Sequence, residues 1–172
     1  MNKIITYIAV FIILVGVGFW AKNKFFPSKN QCVVVKIYDG DTMTLQCPRT
    51  EEKTRVRMYC IDTPEMQQKP WGKKSRDVLR EMVALGETVR LEAMNKDRYG
   101  RVVGEVFYKK QSLNLAQVEA GQAAVYEGYC KNPEYKEAET VAKKAKLGIW
   151  SKRGLHQAPW DWRKKKKANK KS

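Results

Sequence analysis

The sequence predicts an α+β domain, a small five-stranded barrel carrying three helices, with an apolar segment ahead of it and a basic tail behind. Three observations carry that prediction. Short β-rich runs are separated by tight-turn signals, the hydrophobic period switches from two to helical at Trp71, and a chain of 172 residues holds one domain plus appendages. With 43% apolar and 10% aromatic residues the chain buries a core and is no disordered polyelectrolyte.

Cys32–Tyr38 and Thr42–Cys47 flank Asp39-Gly40-Asp41 and read as a hairpin. Thr54–Ile61 alternates with period two, putting Val56, Met58 and Cys60 on one face and Arg55, Arg57 and Tyr59 on the other. Trp71–Leu85 is helical, with Trp71, Ser75, Val78, Leu79, Met82 and Val83 on one side and Gly86 as its stop. Strands follow at Thr88–Ala93 and Val102–Tyr108. Ser112 caps a short helix over Leu113–Ala120, and Asn132-Pro133 opens a last one carrying Tyr135, Ala138, Val141, Ala142 and Ala145, stopped by Gly148. Five strands, an interposed helix and short turns suit a closed barrel of the oligonucleotide/oligosaccharide-binding (OB-fold) type over residues 32–152.

The net charge of +16 favours a polyanionic partner, nucleic acid or anionic membrane. Most of it lies outside the domain: +4 in residues 1–31, +7 in 163–172 and +5 in between. Residues 153–172 form a basic tail whose last ten residues have no apolar periodicity and are expected to be disordered, either solubilising or touching nucleic acid or acidic lipid.

Ile4–Ala21 has no charged residue, and Trp20 stands where an interfacial aromatic would. Residues 1–21 read as an N-terminal transmembrane helix; a cleaved signal peptide and a buried helix are the alternatives. Residues 22–31 are a polar linker. Lys22, Lys24 and Lys29 would hold the domain in the cytoplasm by the positive-inside count. Four cysteines in a small domain behind an export-like segment favour the outer face.

A few charged residues sit where the fold does not need them: Asp41 in the hairpin turn, Arg57 on the third strand, Asp62 and Glu65 in Asp62-Thr63-Pro64-Glu65, and Arg101 after Gly100. Singly each has an ordinary reading, an Asp bonding turn backbone or an Arg on a solvated face. Together they make chemical sense. Two carboxylates and a further oxygen suit a hard cation such as Ca²⁺, whereas one His and no Cys-x-x-Cys argue against a transition metal. A third carboxylate can orient or deprotonate water, and two Arg forks match phosphate oxygens.

In order and spacing, Asp39-Gly40-Asp41-Thr42, Arg57 five residues before Asp62-Thr63-Pro64-Glu65, Asp97-Arg98-Tyr99-Gly100-Arg101 and Leu147-Gly148-Ile149-Trp150 resemble the staphylococcal nuclease (thermonuclease) family over residues 32–150. The resemblance implies that Asp41 and Asp62, with the Thr63 carbonyl, bind Ca²⁺. It implies that Glu65 positions or deprotonates the attacking water, and that Arg57 and Arg101 bind the phosphate and stabilise the transition state. Tyr99 and Tyr129 match nucleotide-contacting positions, or are ordinary aromatics; Tyr126 matches less well. The implied reaction cuts DNA and RNA without sugar specificity, leaving 3′-phosphate ends, by an enzyme expected to be a monomer. A non-catalytic, membrane-tethered nucleic-acid-binding module is the alternative, and such a module would be expected to have lost the acidic set. The loop 66–71 is shorter than in the best-known members, and the membrane segment, cysteines and Lys-rich tail have no counterpart there. Cys32 with Cys47, and Cys60 with Cys130, are the expected pairs if disulfides form; buried thiols are the alternative. His156 is expected at the surface without function, with Trp160 and Trp162 as packing or interfacial aromatics.

Overall fold

The computed structural model describes residues 30–48 and 53–170. The expected anchor over residues 1–21 lies outside them, as does the linker up to residue 29; among the described residues no helix is long and apolar enough to cross a membrane.

Strands β1 (Gln31–Ile37), β2 (Thr42–Gln46) and β3 (Thr54–Met58) form an antiparallel meander, and β5 (Thr88–Lys96) and β6 (Val102–Tyr108) a second hairpin. β1 pairs with β5, and β3 pairs in parallel with β6 through Val56↔Val102, Arg57↔Val103 and Met58↔Gly104, so the five strands close. Closure leaves the barrel no long free edge among the described residues. Inward alternation puts Val34, Met43, Leu45, Val56, Met58 and Val106 in its core. Two short pairings that the periodicity does not show complete the sheets. β4 (Ile61–Asp62) lies against β8 (Ala124–Val125), and β7 (Gln111–Ser112) against β6.

Helix α1 (Trp71–Met82) ends three residues before the expected Leu85, where Val83 turns extended. In α2 (Leu113–Glu119) the Ser112 hydroxyl accepts the Leu115 N–H, and in α3 (Pro133–Lys144) the Asn132 side chain accepts the Glu134 N–H, so both predicted caps are present. Tyr135 and Ala142 of α3 are buried, whereas Val141 is exposed. The expected strand over Thr54–Ile61 breaks at Tyr59–Cys60, where Cys60 adopts a left-handed φ of 68° and is bonded to Cys130. Both pairs form, Cys32–Cys47 and Cys60–Cys130, and among the described residues no cysteine is free.

Two expectations for the C-terminal segment are corrected. Pro159–Asn169 is a helix, α4, instead of a disordered tail. Pro159 occupies the first turn, where a missing N–H costs nothing. Tertiary ion pairs from Arg163 then hold the helix to the barrel. His156 is not at the surface but buried: its ring stacks on Trp71 with centroids 4.2 Å apart, and Nε2 lies 3.0 and 2.9 Å from the Ile149 and Lys152 carbonyls. With two acceptors there, Nε2 carries the proton. The single histidine thus ties the 148–158 segment to α1.

Candidate active site

The site grows from the β1–β2 turn. Asp39 accepts the Asp41 N–H at 3.1 Å, an Asx turn that fixes the tip. Gly40 must be glycine, because a Cβ there would fall 1.9 Å from Ser75 Oγ on α1. Its carbonyl accepts the Gln117 side-chain amide at 2.7 Å, so both α1 and α2 brace the turn. Register then places the first cation. Thr42 is paired with Arg57 across β2–β3, which sets the Arg57 fork beside Asp41.

Arg57 Nη1 lies 3.0 Å from Asp41 Oδ2 and Nη2 donates to Asp62 Oδ1 at 2.9 Å, one guanidinium joining two buried carboxylates. Asp62 is held on β4 by its pairing with Ala124. Thr63 donates both its N–H and its hydroxyl to Asp41 Oδ2, each at 2.8 Å. Glu65 is positioned by Gln68, whose side-chain oxygen accepts the Glu65 N–H while its own N–H returns to the Glu65 carbonyl. Gly72 lets α1 start against this turn, since a Cβ would lie 2.2 Å from the Glu65 carbonyl oxygen.

On the opposite hairpin, Asp97 accepts the Tyr99 N–H, the Arg101 N–H and, at 2.7 Å, Arg101 Nε. Burial pushes the Asp97 carboxyl up, but these bonds outweigh it and hold the group below its ordinary value. The terminal Nη groups of Arg101 make no hydrogen bond among the described residues. Tyr99 and Tyr129 are 67% and 69% exposed, which leaves both rings open to a partner from solvent.

Asp41, Arg57, Asp62, Thr63, Glu65, Tyr99, Arg101 and Tyr129 all border one cleft of about 1210 Å³. Sequence reasoning misses two neighbours. Asp39 reads only as a turn residue, yet burial and then the adjacent Asp41 charge push its carboxyl up to about 7. Arg163 reaches in from α4: Nη2 donates to Asp62 Oδ2 at 2.7 Å, and Nη1 to Asp62 Oδ1 at 3.1 Å and Glu65 Oε1 at 2.9 Å. Pro159 as a helix start is the available signal. Burial also raises the Asp62 carboxyl, opposed by its Arg163 bond and reinforced by Asp41.

Four carboxylates, of Asp39, Asp41, Asp62 and Glu65, therefore face the guanidiniums of Arg57 and Arg163, and the excess negative charge adds to burial in lifting Asp39 and Asp62. Such an oxygen-rich, acid-heavy donor set suits a hard dication. Among the described residues no three His, Cys, Asp or Glu side chains converge on one point, so a backbone oxygen such as that of Thr63 would have to complete the set.

Residues 55–152 match the family described as staphylococcal nuclease homologue. The chain belongs to the staphylococcal nuclease family. Its curated relatives agree with that membership. A protein of Haemophilus influenzae named an uncharacterized endonuclease is 38% identical over 141 residues, covering 82% of this chain and 77% of that one. One of Escherichia coli with the same name is 38% identical over 135 residues, covering 77% and 84%. A staphylococcal-like nuclease of Arabidopsis thaliana is 33% identical over 116 residues, which cover 67% of this chain and 35% of the plant protein. The staphylococcal nuclease match takes in Arg57, Asp62, Thr63, Glu65, Tyr99, Arg101 and Tyr129; the Asp41 turn precedes it and α4 follows it.

Proposed function

We propose that this protein is a Ca²⁺-dependent endonuclease that hydrolyses phosphodiester bonds of DNA and RNA, leaving 3′-phosphate ends. The observation carrying the proposal is the pair of buried carboxylates, Asp41 and Asp62, joined by one guanidinium in a cleft that also holds Glu65 and Arg101. Asp41, Asp62 and the Thr63 carbonyl would hold the Ca²⁺, which supplies Lewis-acid stabilisation of phosphate charge. Glu65, fixed by Gln68, takes the proton from the attacking water. Arg57 and Arg101 bind the phosphate and offset the charge gained in the pentacoordinate transition state. Exposed Tyr99 and Tyr129 stack on bases, which tolerates any sequence.

The same proposal tethers the protein to a membrane through residues 1–21, with the domain on the extracytoplasmic side as a monomer. Two disulfides support the oxidising side.

The test is digestion of plasmid DNA and of RNA by the full chain in detergent. Cleavage should appear with Ca²⁺ and vanish with chelator, and the new ends should resist polymerase extension until treated with phosphatase. Cleavage surviving in chelator would remove the metal from the reading, and binding without cleavage under every condition would leave a nucleic-acid-binding module. Arg101→Ala is expected to lower kcat by about 10²–10³-fold with KM nearly unchanged. A rise in KM at constant kcat would make Arg101 a ground-state phosphate ligand instead.

A further inference from the structure

Helix α4 turns one face to the cleft. Trp160, Arg163, Lys164 and Lys167 border it, at spacings i, i+3, i+4 and i+7, which is one stripe of an α-helix. Lys165, Lys166 and Ala168 do not border it. The stripe is locked in place at both ends of its chemistry. Arg163 is ion-paired to Asp62 and Glu65, and Trp160 packs on Tyr126 at 5.6 Å, which stacks in turn on Tyr129. The other side is fastened by Lys166, which bonds the Gln67 side chain and lies over Trp162 of its own helix. Lys164 makes only an exposed pair with Asp161 at 3.2 Å, and Lys167 has no ion pair among the described residues.

We infer that α4 is a second phosphate-binding wall of the cleft, whose Lys164 and Lys167 hold the backbone of the strand that flanks the scissile phosphate. This deepens the nuclease reading and rests on it for the identity of the strand. Charge complementarity favours a polyphosphate. The two ammonium groups are exposed, one turn apart and continuous with an aromatic run, the pairing of cations and stacking surfaces that single-stranded nucleic acid requires. The stripe also separates this wall from a merely solubilising tail, because only the cleft-facing lysines should matter.

The experiment uses the full chain in detergent and a fluorescent single-stranded DNA, in chelator, with affinity followed by anisotropy from low to moderate NaCl. Lys164→Ala with Lys167→Ala is compared with a charge-matched control, Lys165→Ala with Lys144→Ala, both exposed and off the cleft. Alanine preserves helix propensity, so loss of fold is not expected, and far-UV circular dichroism checks it. The slope of log K against log salt should become shallower by about 1.4 for the cleft pair, about 0.7 for each phosphate no longer neutralised, and stay near the parent value for the control. Equal changes in both pairs, or none in either, would overturn the inference. A cleft pair that leaves DNA binding intact but lowers binding to phosphatidylserine vesicles would assign the stripe to lipid. Binding is read without cleavage, so the two failures separate. A protein that cuts nucleic acid with an unchanged slope loses only the wall, and one that never cuts but shows the shallower slope loses only the nuclease.

Discussion

Glu65→Gln should lower kcat on DNA by about 10²–10⁴-fold, the usual contribution of a positioned proton acceptor, which is about 3–5 kcal/mol of barrier at 1.36 kcal/mol per decade. Glutamine keeps the shape of the side chain and an oxygen that can still accept from Arg163 Nη1, now 2.9 Å from Glu65 Oε1. It removes the negative charge and the basicity. The backbone of residue 65 is held by Gln68 through main-chain groups that the substitution does not touch. Thermal stability should therefore stay within a few degrees of the parent while turnover collapses. The Arg163 grip on Asp62 is also preserved, because two of its three bonds go to that carboxylate. Steady-state kinetics with a defined oligonucleotide, beside a melting curve, decides the matter. A kcat within threefold of the parent would take Glu65 out of the chemistry. A parallel fall in melting temperature would instead make its pairing with Arg163 a structural bond.

The parts legible in the sequence are those fixed by local chemistry. Asp39-Gly40-Asp41 reads as a turn because its side chains bond its own backbone, and the flanking alternation sets which residues enter the barrel. Ser112 and Asn132 read as caps for the same reason. Distant partners decide the rest. Cys60, in the turn just past β3, is left-handed while bonded to a cysteine 70 residues away, so the alternation through Ile61 gives no warning. Helix α4 has a polar, Lys-rich composition with no apolar stripe to mark it. Its anchor is Arg163 on Asp62, 101 residues back. His156 is buried because Trp71 supplies a ring to stack on, a contact between separate segments. In the site, the residue types are readable from spacing, whereas the sharing of Arg57 between Asp41 and Asp62 follows from the β2–β3 register.

Removing the Cys60–Cys130 bond is expected to cost about 4 kcal/mol of stability, against about 3 kcal/mol for Cys32–Cys47, because the unfolded-state loop it closes is longer. The loops span 70 and 15 residues. Cys60→Ala with Cys130→Ala keeps the buried volume apolar, and urea unfolding of each double variant gives both numbers on one scale. Equal losses would show that chain entropy does not set the order. The longer bridge has a second consequence, because it binds the end of β3 to the loop that carries Tyr129. Cys60 accepts the Tyr126 N–H on its carbonyl at 2.8 Å, and the Tyr59 hydroxyl donates to the Tyr129 carbonyl at 2.6 Å. Without the bridge, KM for single-stranded DNA should rise more than kcat falls, since the loop would keep these hydrogen bonds but lose its covalent tie and hold Tyr129 less firmly, while Asp62 stays paired to Ala124 and to Arg163. The bridges also test the proposed compartment. Protein taken from its native membrane should react with maleimide only after reduction; thiols that react at once would put the domain in a reducing compartment, where the stabilisation from both bridges would be absent.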